Sequence, residues 1–517
     1  MTESTPNNTT LSWSESLKAF LNPRVITMLF LGFSAGIPLL LIFSSLSLWL
    51  GEAGVERKAV TFFSWAALAY SFKFVWAPLI DKLPLPLLTA ALGRRRAWLL
   101  VAQGFMILGI VLMGLTDPAT GQDSLVRMAL AAVLLGFSAA TQDIVIDAYR
   151  IESAETRLQA MMSSAYIAGY RIGMVVSGAG ALFIAAALGS EKGHYVYSAW
   201  QTTYFVMAAM IMVGVITTLI IPEPERKQID KHHYATSDYA RLLVVFACAM
   251  AGFVGTFFLG GDVFAWLKLN VVGDGVFVSF LLEAVHFLLA IAIAVLIGWL
   301  LVLAGLVNQE MARDTWVEPI ADFFRRYGLK TALLLLALIG FYRISDIVLG
   351  VISNVFYQDM GFSKVEIATA VKTFGVLISV IGGLVGGLLV TRFGVMRILM
   401  LGAAMAVAAN AVFILLALAG HNPVLMYLAV GFDNFEAGLA GAAFIAFLSS
   451  LTSVSFTAVQ YAIFSSLMTL FPKVIGGYSG TMVDNIGYPG FFTFTSLIGV
   501  PVMLLVWLVG KHLPART

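Results

Sequence analysis

Long apolar runs cut by short polar segments repeat along the whole chain. Each reaches the length of about 20 residues that a helix needs to cross a bilayer. Fourteen runs can be drawn. Six come first: 25–50, 59–80, 97–116, 125–149, 160–188 and 198–221. Two follow, 240–264 and 276–307, and six close the chain: 329–353, 364–390, 396–419, 424–450, 455–484 and 489–511. Runs of this length predict α-helices, because lipid offers no partner to an unpaired backbone group. An even number of spans puts both termini on one side.

Composition makes lipid the solvent. Of the 517 residues, 60% are hydrophobic and 12% charged, against about 45–50% and about 25% in soluble domains. Mean hydropathy is +0.92. Disorder, nucleic-acid binding and a disulfide scaffold are excluded, and the single Cys248 can close no internal bridge. The polar stretch 1–22 lacks the basic start, short apolar core and cleavage site of a secretory signal, so it reads as a cytoplasmic tail. Charge position then orients the chain. Of 31 Lys and Arg, twenty fall in segments or at span ends on the side of the termini, seven on the other side and four, Lys73, Arg171, Arg343 and Lys372, deeper within spans. The positive-inside rule makes the termini cytoplasmic.

The chain also repeats itself, as transporters often do. Gly32-Phe33 and Gly54 in the first span match Gly340-Phe341 and Gly361 in the ninth. Asp81-Lys82 with Gly93 to Arg96 matches Thr391 to Gly394 with Arg397. The expected fold is therefore all-α: a tail (1–24), a six-helix bundle (25–221), a linker carrying two extra spans (222–328), a second six-helix bundle (329–511) and a short tail (512–517). The extra pair reads as a lipid-facing spacer.

The 6+6 plan with a basic loop after the second span resembles the major facilitator superfamily. That family's loop pattern is G-x-x-x-D-R-x-G-R-R; here Ala77 replaces the glycine, an insert separates Asp81 from Gly93, and Thr391 stands where the second copy would have Asp. Within the superfamily the chain resembles the AmpG-type muropeptide permeases. The strings that carry this are GFSAGIP from Gly32, the run Phe74 to Asp81, GRRRAWLL from Gly93, the run Thr141 to Tyr149, and GYRIGMVVSG from Gly169. They cover the first five spans; the second block resembles the family diffusely. The resemblance implies a multi-pass monomer of the bacterial inner membrane. It would import an anionic glycopeptide, N-acetylglucosamine–anhydro-N-acetylmuramyl peptide, with protons, by alternating access. Its other contacts would be lipids, with no nucleic acid, cofactor or metal. An acetyl-CoA, organic-anion or sugar transporter of the same superfamily, or a lipid flippase, would share much of this plan. No nucleophile with an adjacent base, P-loop or metal spacing points to an enzyme.

Candidate chemistry lies in the charges inside spans. Each costs about 2.5–3.5 kcal/mol on insertion scales, so each should border water or a partner. Asp143 and Asp147 lie i,i+4 in the fourth span and share a face. Asp433 and Glu436 lie i,i+3 in the twelfth, its counterpart. Desolvation drives a carboxylate towards protonation and a nearby cation drives it back; that contest suits a group that loads and releases a proton. Asp143, Asp433 and Glu436 are the candidates for this, with Asp143 first. The alternative is a permanent ion pair of Asp143 with Arg171 or Lys73. Arg171, Arg343, Lys73 and Lys372 could hold the carboxylates of an anionic substrate; Arg343 could instead pair with Asp346. Gln142, Asn434, Asn485 and Tyr170 could bind sugar or peptide, with Trp65, Tyr70, Trp76, Tyr342 and Tyr461 as further aromatic faces. Asp81, Arg94, Arg95, Asp147 and Arg392 read as a cytoplasmic gate. The pairs Gly169/Gly173, Gly382/Gly386 and Gly383/Gly387 allow close helix contact. Gly36-Ile37-Pro38 reads as a break in the first helix.

Overall fold

A computed structural model describes residues 18–55, 68–191, 193–225, 234–267, 270 and 276–513. No strand occurs among the described residues. The helices are α1 (Pro23–Glu52), α2 (68–82), α3 (Arg94–Gly114), α4 (Gln122–Ser153), α5 (Leu158–Ala187), α6 (Tyr197–Ile220) and α7 (Thr236–Leu267). There follow α8 (Val276–Leu303), α9 (Gln309–Asp359), α10 (Val365–Phe393), α11 (Val395–Ala419), α12 (Pro423–Leu451), α13 (Val454–Lys473) and α14 (Ser479–His512). Thirteen helices among the described residues are long and apolar enough to cross a membrane. Part of the expected second span, with Trp65, lies outside the described residues, and only its later part, α2, is seen.

The chain divides into two compact units. One holds Met1–Arg226 and Phe324–Thr517, the other Lys227–Phe323. In the first unit, α1 packs on α5 and α6, and α3 on α4 and α6; later in the chain α9 packs on α13 and α14, and α11 on α12 and α14. The same pairing thus recurs in the first six and last six helices. The second unit contains the α7–α8 hairpin, where His286 is stacked between Phe257 (4.8 Å) and Phe264 (4.1 Å). Few side chains of that hairpin are buried, as expected of an apolar surface facing lipid.

Glycine seams set the tightest contacts. A Cβ added at Gly32, Gly36, Gly169 or Gly173 would lie 1.9–2.3 Å from a backbone oxygen of the facing helix, so α1 and α5 touch backbone to backbone. Gly382 and Gly386 meet α12 at Phe435 and Leu439, whereas Gly387 meets Ser164 of α5. Gly383 stands between, equally near Gly438 of α12 and Ile167 of α5, so the glycine face of α10 passes from one neighbour to the other.

Two expectations are corrected. The first helix does not break at Gly36-Ile37-Pro38: it runs α-helical from Pro23 to Leu40 and widens into a π turn at Leu41–Ser45. Gly36 is there for closeness to Tyr170. The loosened turn is tied down by the Tyr204 hydroxyl, which donates to the Leu41 carbonyl (3.1 Å). The thirteenth run, expected to reach Asp484, is split by a turn at 477–478, while the expected break between 484 and 489 is present as the non-helical Gly487. Gly476-Gly477 and Ser479 stand at that turn, a signal that run length alone overrides. Asp484 and Asn485 accordingly lie on α14, before its kink at Gly487 (φ 68°).

Candidate functional site

The first cluster is built on α4. Its central stretch is buried on every side, Ser138 to Ile151 without interruption, so two carboxylates there need partners. Asp147 has two: Lys73 Nζ at 3.5 Å from Oδ2 and Arg150 Nη2 at 3.3 Å from Oδ1. Lys73 arrives through a local change of winding. A 3-10 turn at Lys73–Val75 precedes the Ala77-Pro78 helix start, where proline's missing N–H costs least. Asp143, one turn from Asp147, accepts from the Tyr166 hydroxyl at 3.2 Å. Tyr170 stands beside Tyr166, ring centres 6.0 Å apart. The Tyr70 hydroxyl is buried, has no hydrogen-bond partner among the described residues, and lies within electrostatic reach of Tyr170 and Asp143.

The second cluster joins α5, α9 and α12. Arg343 Nε donates to Asp346 Oδ2 at 3.2 Å. Glu436 is 1% exposed, and its Oε2 has no partner among the described residues. Asp346, Arg343 and Asp433 are its electrostatic neighbours. Arg171 lies within reach of both Arg343 and Asp433. Helix α5 thus serves both clusters: Tyr166 and Tyr170 turn to Asp143, and Arg171, one residue on and so about 100° around the helix, turns to the other.

A third group closes the arginine-rich end. Arg95 is 1% exposed. Its Nη2 donates to Asp81 Oδ1 (2.7 Å) and Thr457 Oγ1 (2.8 Å), and its Nε to Glu152 Oε2 (3.0 Å). The Thr457 hydroxyl donates to Glu152, and the Val459 N–H to Asp81 Oδ2 (3.1 Å). Arg94 donates to the Asp81 carbonyl. Arg150 donates to Ser449 Oγ (2.6 Å) and covers the Tyr461 ring at 5.1 Å. These bonds tie α2, α3 and α4 to α12 and α13. The Glu223 carboxylate accepts from the backbone N–H groups of Arg95 (2.8 Å) and Arg96 (3.1 Å), capping α3 where Gly93 (φ 85°) offers no side chain.

The predicted residues therefore fall into groups. Lys73, Asp143, Asp147 and Tyr170 come together; so do Arg171, Arg343, Asp433 and Glu436; so do Asp81, Arg94 and Arg95. Gln142 is turned elsewhere: fully buried, its Oε1 accepts from Ser34 of α1 (3.3 Å). Asn434 and Asn485 donate to carbonyls of their own helices, at Val430 and Thr481. Lys372 is exposed within a π-helical stretch of α10, and Arg392 occupies the last turn of that helix. Tyr342 and Trp76 are held by packing: Tyr342 stacks on Phe444 (4.5 Å) and donates to the Leu399 carbonyl, and Trp76 Nε1 donates to Thr141 (3.1 Å). Sequence reasoning missed Tyr166, Arg150, Glu152 and Thr457. Tyr166 carried a signal, its i,i+4 spacing from Tyr170; Thr457 and Glu152 carried none, because they meet only in three dimensions.

Comparison with known proteins adds three findings. Residues 25–341 match the Major Facilitator Superfamily. The chain is 27% identical over 492 residues to a protein of Rickettsia conorii named "Putative transporter AmpG 4", covering 95% of this chain and 97% of that one. It is 29% identical over 494 residues to the "Anhydromuropeptide permease" of Escherichia coli K12, covering 95% and 81%. Among solved structures, the proton:xylose symporter XylE bound to 6-bromo-6-deoxy-D-glucose superposes with a TM-score of 0.58 at 12% identity, covering 96% of each chain. That likeness concerns the fold alone.

Proposed function

The chain belongs to the Major Facilitator Superfamily, and from that premise we propose that it imports anhydro-muropeptides together with protons by alternating access. It is a multi-pass helical transporter of the inner membrane and of the AmpG type. In this reading there are fourteen spans, two six-helix bundles with an extra pair between them, and both termini are cytoplasmic. The arginine-rich end is then the cytoplasmic one, and its bonds form the closed cytoplasmic gate.

The observation that carries the reading is the pair of ionisable clusters meeting on α5. Asp143, Asp433 and Glu436 are the proton-coupling acids. Arg171, Arg343, Lys73 and Tyr170 receive the substrate: a planar guanidinium fork matches a peptide carboxylate, and tyrosine offers both a ring face and a hydroxyl. Lys73 is shared between substrate and Asp147, and Asp147 leads on to Arg150 at the gate. Occupancy of the cluster and closure of the gate are thereby linked through one carboxylate. The permease-named relative spanning nearly all of this chain supports the choice of substrate.

The test is uptake of labelled anhydro-muropeptide by proteoliposomes with and without an inward proton gradient. Accumulation above equilibrium only with the gradient is expected. Uptake indifferent to the gradient would remove the protons from the proposal, and no uptake would remove the substrate.

A further inference from the structure

Around Glu436 the charges do not balance. The groups that face it are Arg343 and Asp346 from α9, Asp433 from its own helix and, through Asp433, Arg171 from α5. Two are cations and three, with Glu436, are acids. The Tyr342 hydroxyl nearby is already given to the Leu399 carbonyl, and Lys372 of α10 is exposed. A surplus carboxylate in the interior of a span is heavily penalised unless neutralised. Glu436 is also the member least able to be an anion: it is 1% exposed and one of its oxygens meets no donor. An unpartnered oxygen costs far less on a neutral carboxyl than on a charged one.

Arg343 differs from Glu436 in being reachable. Its side chain is 24% exposed, that of Asp346 13%. Only Nε is engaged by Asp346, at 3.2 Å. Its Nη1 lies beside Gly441 of α12, 3.8 Å from where a Cβ on that residue would stand. A guanidinium bound through one N–H retains the two-pronged edge that an incoming carboxylate prefers.

We infer that Asp346 and Glu436 hold one proton between them, and that a carboxylate of the substrate displaces Asp346 from Arg343, whereupon Asp346 takes up a second proton from solution. This rests on the transport reading above and deepens it. The substrate's free carboxylate becomes a requirement for coupling, and Asp346 becomes a proton acceptor in its own right. The balance is simple: one negative charge enters with the substrate, and one proton enters to match it. Release of the substrate returns Arg343 to Asp346 and expels that proton.

Two measurements test this. In unliganded protein, infrared difference spectra between neutral and alkaline pH should carry a protonated-carboxyl band, lost in Glu436→Gln. Persistence of the full band in both Glu436→Gln and Asp346→Asn would overturn the shared proton, whatever the protein transports. The second is the Kd for labelled anhydro-muropeptide against pH. Uptake of one proton makes wild-type binding tighten by up to about tenfold per pH unit as pH falls. Asp346→Asn should flatten that slope, and a muropeptide with amidated peptide carboxylates should bind without it. A slope in Asp346→Asn equal to wild type would overturn the role of Asp346. Should wild type bind no muropeptide at all, the transport reading falls while the infrared result still decides the proton. Elution and thermal unfolding like wild type establish that both near-isosteric variants are folded.

Discussion

Asp143 and Asp147 are chemically identical and one helical turn apart, yet their surroundings divide their work. Asp147 is held between two cations, Lys73 and Arg150, whereas Asp143 forms no ion pair: it accepts one hydrogen bond, from the Tyr166 hydroxyl, and feels Lys73 only at a distance. The freer acid is the better proton carrier. Asp143→Asn should therefore abolish gradient-driven uptake while leaving the folded protein in the membrane, read by uptake and by surface expression together. Arg171→Ala should weaken substrate binding by about 10–100-fold, the loss expected of one charged hydrogen bond, and more than Arg171→Lys does; calorimetry on the purified protein decides it. Such residues were legible in the sequence because a charge inside an apolar run stands out. Their neighbours were less so. Gln142 follows Thr141 and precedes Asp143 in a promising string, but one residue is about 100° of helix, and that rotation carries its amide to Ser34 in the α1 interface. Tyr166 was overlooked because a tyrosine in a span has too many ordinary uses.

Among the helices, run length alone gave the existence of most elements, while their ends and irregularities were hidden. The π turn after Pro38, the 3-10 turn at Lys73 and the early end of α13 lie inside long runs whose few polar residues, Ser44, Ser45, Lys73 and Lys473, also occur within unbroken spans and so mark no irregularity. The glycine seams were visible as spacing, but not which partner each face meets. That partner now makes a prediction. Gly169→Ala forces a Cβ against the Leu29 carbonyl at 1.9 Å, backbone that cannot turn aside. It should cost about 1–3 kcal/mol, seen as a lower unfolding temperature in detergent. Gly104→Ala, with open space around it, should be neutral or slightly stabilising because alanine is the better helix former.

For the whole molecule, the state described is one in which the first six and last six helices are pinned together at the arginine-rich end. Thr457→Val removes one acceptor for Arg95 and one donor to Glu152 while keeping the shape. It should shift the equilibrium towards opening at that end by about 1–3 kcal/mol. A Cys248→Ser, Ala462→Cys background reports it, since Ala462 is 1% exposed in this structure; with the proposed orientation, faster labelling by an impermeant maleimide in inside-out vesicles is expected, and unchanged labelling would dismiss the role of Thr457. The partners of these arginines have a wider consequence. Arg95 keeps both its acids, Asp81 and Glu152, on its own side, and Arg150 keeps Asp147. Across the divide, among the described residues, they touch hydroxyls and a ring: Thr457, Ser449 and Tyr461. When the lobes swing apart, these arginines leave no ion widowed. Each lobe carries its own counterions away with it, so the swing breaks dipolar contacts in place of ionic ones, and added salt should leave its rate almost untouched.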